Sequence, residues 1–209
     1  MKFPAKASGD FEIVPAGNHV AICNAVIDLG VQKGRGMYPD PKHEIYIRFE
    51  LPTERVRYQK DGREIEGPMS IGRRFTASMS EKANLRKFIE SWFGKKFPDN
   101  DSASDFDMEL LIGKKCLLNV THTEKGDKTY ANIQGASPIP KGMSADYAQA
   151  NPALFYDLLD HDPAVYENLP EWLRKIIDDR IDDRLDRSGS RELDPVGTGA
   201  AELDDDIPF

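Results

Sequence analysis

The amino-acid sequence predicts a mainly β body, followed by a short helical extension and a disordered acidic tail. Three observations lead to this fold class. Apolar and polar residues alternate over most of residues 10–140, a single segment near residue 85 has a helical period instead, and Gly, Ser, Pro and acidic residues dominate after residue 188. We therefore divide the 209 residues into a body over 1–143, a helical extension over 144–187 and a tail over 188–209.

The first half of the body is predicted to form strands. Residues 10–29 make one long extended run, and HEIYIRFEL at 43–51 follows with strict alternation. The two sides of this second strand are apolar (Ile45, Ile47, Phe49, Leu51) and polar (Glu44, Tyr46, Arg48, Glu50). Asp61-Gly62 between two short extended runs predicts an inserted β-hairpin, and MSIGRRFTAS at 69–78 is the third barrel strand.

The second half of the body contains the change of period. SEKANLRKFIESWF at 80–93 places its apolar residues on one helical face, with Ser80 as the N-cap and Gly94 as the C-cap. FDMELLIG at 106–113 predicts one helical turn, and residues 114–140 predict two strands around Gly126-Asp127. Five strands with one helix between the third and fourth is the order of an OB-fold, a small Greek-key barrel. An SH3-like barrel and a small sandwich are the alternatives.

The extension and the tail differ in how much apolar surface they carry. Short helical patterns in the extension break at Pro163 and Pro170. The last helix has an apolar stripe, which we expect to pack against its own domain rather than to recruit a partner. This stripe consists of Leu173, Ile176, Ile177, Ile181 and Leu185. The tail from Ser188 has too few apolar residues to offset its ordering entropy, so it is predicted to be disordered.

Charge is distributed unevenly along the chain. The net charge is -8, but residues 144–209 carry 6 of the 28 Lys and Arg and 17 of the 36 Asp and Glu. Residues 1–143 therefore have a net charge of +3, which is compatible with an anionic ligand.

Cys23 and Cys116 lie in apolar strand-like runs and are expected to be reduced core thiols. With no signal peptide and no apolar run of membrane-spanning length, a cytoplasmic location is expected.

Tyrosines and basic residues recur together in four segments of the body, and a fifth segment adds two arginines. Binding of single-stranded nucleic acid requires cations along the backbone and flat rings on which bases stack. The candidates are Lys33, Arg35 and Tyr38 in the loop after the first strand, Tyr46 and Arg48 in the second strand, Arg55, Arg57, Tyr58, Lys60 and Arg63 in the hairpin, Arg73 and Arg74 in the third strand, and Lys128 and Tyr130 in the last strand. Phe75 is expected to face the core instead. The alternative is that these tyrosines are only good strand formers and the arginines only solvated.

Patterns typical of enzymes are missing from the sequence. It contains no complete P-loop, no GxSxG and no HExxH, and its four His residues are scattered. The Asp and Arg residues of IIDDRIDDRLDR at 176–187 have the spacing of helical ion pairs. We therefore predict no catalysis, no cofactor and no metal. A nuclease that uses the carboxylates of residues 178–183 is the rival interpretation.

The last six residues, DDDIPF, combine acidic residues with a proline and a terminal aromatic ring. Pro208 opposes helix formation, and Ile207 and Phe209 offer two apolar side chains beside the terminal carboxylate. These features suit capture by a partner that has a small apolar pocket flanked by Arg or Lys. Because the body of the same chain has a net positive charge, the acidic tail should also compete with DNA for binding to the body at low salt. Deleting residues 198–209 is therefore expected to raise affinity for oligothymidine at low salt and to change it little at high salt.

DDDIPF resembles the acidic tip of bacterial single-stranded DNA-binding proteins (SSB). The body, from GNHVAICNAVIDLG to LLNVTHTEKGDKTYANIQGASPIPKGM, resembles phage-encoded single-stranded DNA-binding proteins of the OB-fold type. The resemblance implies sequence-tolerant binding of single-stranded DNA in phage replication or recombination. It also implies that host replication and repair proteins recognise the tip residues Asp204, Asp205, Asp206, Ile207, Pro208 and Phe209.

The chain departs from cellular SSB in two respects. Residues 152–187 have no counterpart there, and the tetramer-forming strand has no obvious match in the body. A monomer or a filament is therefore as compatible with the resemblance as a tetramer. The remaining alternative is an adaptor that sequesters host proteins through the tip and binds no DNA.

Overall fold

The computed structural model describes residues 12–34, 36, 39–60 and 62–181, with the backbone only at 59 and 60. These residues form a mainly β structure with a few helices. The strands are β1 (Gly17–Gln32), β2 (Lys42–Lys60), β3 (Arg63–Thr76), β4 (Lys115–Lys125), β5 (Lys128–Ser137) and β6 (Leu154–Tyr156). The helices are α1 (Asn84–Phe93), α2 (Asn100–Ser104), α3 (Pro163–Glu167) and α4 (Glu171–Asp178), with a 3-10 turn at Met108–Leu111.

Five antiparallel strands form a curled half-barrel. Their order is β3-β2-β1-β4-β5, and β6 pairs with β1 in parallel. The two outer strands of this order lie close together. Arg73 Nη1 on β3 donates a hydrogen bond to the Ile133 carbonyl on β5 at 3.0 Å. The predicted mainly β body with a helix between the third and fourth strands is therefore confirmed at this level.

The half-barrel interior is the main core. The apolar side of β2 that the alternation predicts lies there, with Phe49 and Leu51 fully buried. Helix α1 closes one part of this core with Leu85, Phe88, Ile89 and Trp92. Trp92 also donates its indole N–H to the Lys115 carbonyl at 3.0 Å. Buried aromatic and aliphatic side chains of this kind are the main source of stability.

The ends of α1 confirm one predicted cap and correct the other. Gly94 has a left-handed φ of 65° and ends the helix as predicted. Ser80 is not the N-cap, because the helix begins at Asn84 after Ala83. The Ser80 hydroxyl instead accepts from the Ser78 hydroxyl at 3.3 Å, and the Ser80 carbonyl accepts from the Ala83 amide in a separate turn.

The predicted hairpin around Asp61-Gly62 is not an insertion. β2 and β3 are continuous long strands, and Lys60 pairs with Arg63 at the turn. The pairing shifts register between Leu51 and Arg55, just beyond the predicted end of the second strand at residue 51. Residues 55–67 are therefore the far end of the β2–β3 pair, which we call the β2–β3 arm.

The extension covers the outer face of β1 and β2. It begins with irregular chain, and residues 154–156, predicted within a helical region, pair with residues 25–27 of β1 as β6. A second core joins Ala25, Ile27, Leu29 and Tyr46 of the strands to Tyr156, Leu169, Leu173 and Ile177 of the extension. The predicted packing of the α4 stripe on its own domain is thus confirmed, although Ile181 remains 47% exposed. Leu185 and the predicted disordered tail lie outside the described residues.

Both cysteines are buried thiols in the main core. Burial raises the pKa of the Cys23 thiol to about 12 and raises the pKa of Cys116 as well. Both groups therefore remain protonated at physiological pH. Among the described helices, none is both long enough and apolar enough to cross a bilayer.

Candidate nucleic-acid interface

A groove with a cavity volume of about 570 Å³ lies between β3 and β5, the two outer strands of the half-barrel. Residues 69–76 of β3 and 129–133 of β5 form its walls. Residues 12–14, three residues of β2 and Trp172 of α4 complete the lining. A concave site of this volume is of the size that small ligands or single nucleotides occupy.

The inner wall of the groove combines apolar side chains with one arginine. Met69, Ile71 and Phe75 are buried on the core side of β3, and Phe75 is 4% exposed, as its alternation predicts. The Arg73 guanidinium lies 4.9 Å from the Phe75 ring centroid and also donates to the Ile133 carbonyl. Arg73 is therefore a cation that two elements of the barrel hold in place.

Tyr46, predicted on the polar side of β2, lies at the groove but is 5% exposed, so little of its ring is open to a stacking base. It does point away from the barrel interior, as the alternation predicts. However, its ring lies over Gly72, where a Cβ would collide with it. The Trp172 ring then contacts Tyr46 edge to face, with centroids 5.3 Å apart. Burial raises the pKa of Tyr46 to about 12, so the phenol stays neutral.

The groove contains charges of both signs. Lys42, Arg73 and Arg74 are its cations, and Glu12 and Glu44 are its anions. Arg74 Nη1 lies 3.5 Å from Glu44 Oε2, and both side chains are largely buried. The local balance is therefore positive by one charge among the described residues of the lining.

The β5 wall supplies Tyr130, which is half-buried and lines the groove. Lys128, by contrast, is exposed at the start of β5, where it pairs with Lys125 across the turn. The groove therefore brings together four of the predicted residues: Tyr46, Arg73, Arg74 and Tyr130.

The candidates on the β2–β3 arm do not line the groove. Arg55 contacts Glu66 at 3.2 Å, and Arg57 lies 3.6 Å from Glu66 and 3.9 Å from Glu64. Tyr58 is 43% exposed and packs over Gly67, while Arg63 is exposed at the turn. The side chain of Lys60 lies outside the described residues. The arm thus presents cations beside carboxylates, which reduces its attraction for phosphate.

The remaining candidates lie elsewhere or are not described. Arg48 is half-buried on the outer face of β2, where its Nε donates to Asn24 Oδ1 at 3.1 Å. Burial lowers the pKa of Arg48. Lys33 is exposed just after β1. Arg35, Tyr38 and the six tip residues from Asp204 to Phe209 lie outside the described residues.

Sequence reasoning missed Trp172 and Lys42, both of which line the groove. Trp172 is 41% exposed, whereas its neighbour Leu173 is fully buried. The available signal was its position beside the apolar stripe of α4, which leaves a large aromatic residue on the polar side of that helix.

The part of the chain that the structure describes contains no group of three or more His, Cys, Asp or Glu side chains arranged to hold a metal ion. No protein-family model and no curated protein matches the sequence.

Proposed function

We propose that this chain is a non-enzymatic, sequence-tolerant single-stranded DNA-binding protein. The observation that carries the proposal is the groove between β3 and β5, which combines Tyr130 with Arg73, Arg74 and Lys42. Rings give stacking surfaces that accept any base, and cations attract the phosphates. The strand order and the position of α1 further support assigning the half-barrel to the OB-fold.

The expected binding mechanism has two physical components. Each base that stacks on an aromatic ring contributes about 1 to 3 kcal/mol, whatever its identity. Each phosphate that a cation neutralises releases counterions. The logarithm of the binding constant therefore falls with the logarithm of the salt concentration, with a slope of about 0.7 per phosphate on single strands. With a local charge balance of only +1, the groove should depend more on stacking than on charge.

The biological role is an extension of this proposal. Binding of single-stranded DNA would serve phage replication or recombination, in the cytoplasm of the host cell. The tip residues Asp204 to Phe209 would recruit host replication and repair proteins. The acidic residues of the tip would raise the rate of encounter with a basic partner more than the affinity.

Titration of the full chain with fluorescent dT oligomers of graded length, at two salt concentrations, tests the proposal. We expect saturable binding that weakens at the higher salt. Replacing Tyr130 by Ala should weaken binding about tenfold, because one stacking surface is lost. Tyr147→Ala is the matched control, since Tyr147 is also a half-buried tyrosine but does not line the groove. An absence of binding at low salt, both by the full chain and by a variant that lacks residues 198–209, would refute the proposal and favour the adaptor.

A further inference from the structure

Trp172 is held at the groove by the residues next to it on α4. Leu173 and Ile177 are buried in the second core and fix the helix on β1 and β2. The indole of Trp172 projects toward the groove instead and is 41% exposed. An exposed tryptophan on a well-anchored helix presents a large flat apolar surface at a fixed position.

Tyr46 and Gly72 support the Trp172 indole from beneath. The Tyr46 ring contacts it at an interplanar angle of 88°, and this ring is itself 5% exposed. Gly72 leaves the space that the Tyr46 ring occupies. Because the edge contact orients the indole before any ligand arrives, a ligand that stacks on it loses little side-chain entropy.

The surroundings of Trp172 match the chemistry of a nucleotide. Arg74 and Lys42 line the groove on the same side of the β2–β3 pair as Tyr46 and Trp172, although Glu44 holds Arg74 in part. Tyr130 offers a second ring from the β5 wall. A flat neutral base joined to an anionic phosphate uses both the rings and the cations, whereas an apolar peptide segment would use only the rings.

We propose that Trp172 is a base-stacking platform, and that the extension therefore forms part of the DNA-binding surface. This inference rests on the proposed function and adds a specific residue, contributed by a segment beyond the barrel. The extension then has two roles: it covers the outer face of β1 and β2, and it supplies the Trp172 ring to the lining of the groove.

Intrinsic fluorescence isolates Trp172 because the chain has two tryptophans. Trp92 is 2% exposed in the main core, so a bound base cannot stack on it. Adding dT oligomer to the full-length wild type should quench emission. Trp172→Phe should lose this quenching while still binding labelled dT, because a phenyl ring retains part of the stacking surface. Trp172→Ala should bind labelled dT about tenfold more weakly.

Leu159→Ala is the control for a general effect on the extension. Leu159 is 69% exposed on the same segment and does not line the groove, so its removal should leave both affinity and quenching unchanged. Circular dichroism and thermal melting establish that each variant is folded. If Trp172→Ala fails to fold, Trp172→Phe still tests the inference. Loss of quenching in this variant supports it, and retention of quenching overturns it.

The outcomes separate this inference from the proposed function. No binding of dT by either the wild type or the variant that lacks residues 198–209 removes the proposed function. Binding by the wild type without quenching, or with equal affinity in Trp172→Ala, overturns the role of Trp172 and leaves the function standing. A change in oligomeric mass in Trp172→Ala at unchanged dT affinity would assign the groove to a second copy of the chain and would also overturn it.

Discussion

Gly72 is the smallest feature on which the groove depends. It lies on β3 opposite Arg48, and the Tyr46 ring of the neighbouring strand occupies the space above it. Any side chain at this position would displace Tyr46, which supports Trp172 in turn. The absence of one methyl group therefore determines where two aromatic rings lie.

Replacing Gly72 by Ala should disturb both stability and binding. The added Cβ would collide with the Tyr46 ring, and overpacking of this kind costs about 1 to 3 kcal/mol of the free energy of unfolding. Displacement of Tyr46 should also shift Trp172 and weaken dT binding. Urea denaturation and oligomer titration measure the two effects.

Gly135→Ala is the matched control for this substitution. Gly135 lies on β5, and a Cβ there would meet no atom within 4 Å. Its free energy of unfolding should change by about 0.5 kcal/mol or less. Equal stability and dT affinity in Gly72→Ala and Gly135→Ala would contradict the supporting role of Gly72.

The side on which a strand residue points could be predicted from the sequence, but its surroundings could not. Alternation correctly assigned Phe75 to the core and Tyr46 to the outer side of β2. Alternation contains no information on what packs against that outer side, so the burial of Tyr46 beneath Trp172 was not predictable from β2 alone. Alternation is a local pattern, and it could not predict this burial because the helix that covers Tyr46 lies more than 120 residues further along the chain.

At the level of elements, one buried carboxylate attaches the extension to the half-barrel. Glu50 on β2 is 0% exposed. It accepts hydrogen bonds from the Ala150 amide at 2.7 Å, and from the Asn151 amide at 2.9 Å and side chain at 2.8 Å. Hydrogen bonds to a charged group are stronger than neutral ones. Glu50 thus fixes the chain just before β6 pairs with β1.

Glu50→Ala should destabilise the protein by about 2 to 4 kcal/mol, because two backbone amides and one side-chain amide lose their acceptor in a buried site. Urea denaturation provides the free energy of unfolding. Glu64→Ala is the control, since Glu64 is exposed on the β2–β3 arm and its substitution should change stability by about 0.5 kcal/mol or less. Similar losses in the two variants would show that Glu50 does not anchor the extension.

Elements with a strong period could be predicted, and elements defined by pairing could not. The five long strands and α1 carry clear periods and were found. Strand β6 has three residues, too few for a period, and exists because residues 25–27 of β1 offer it a partner. The continuity of β2 through Pro52 was missed for a related reason: the bulge that accommodates it depends on pairing with β3.

At the level of the whole molecule, curling of the sheet creates the groove. β3 and β5 are far apart in the strand order and meet through Arg73 and Ile133. Residues from both strands, from β2, from residues 12–14 and from α4 then line one cavity. The sequence predicted a body with basic and aromatic residues. It could not show that Tyr130 and Trp172 line one cavity while Tyr58 does not, because this depends on the curling of the sheet.

Photochemical cross-linking of the full chain to an oligonucleotide that carries 5-iodouracil tests most directly whether single-stranded DNA lies in the groove between β3 and β5. Iodouracil reacts with aromatic side chains that stack on it, and mass spectrometry identifies the linked peptides. We predict adducts at Tyr130 and Trp172, both of which line the groove. Adducts confined to Tyr58 on the β2–β3 arm, or an absence of adducts under conditions where the oligonucleotide is bound, would contradict the account.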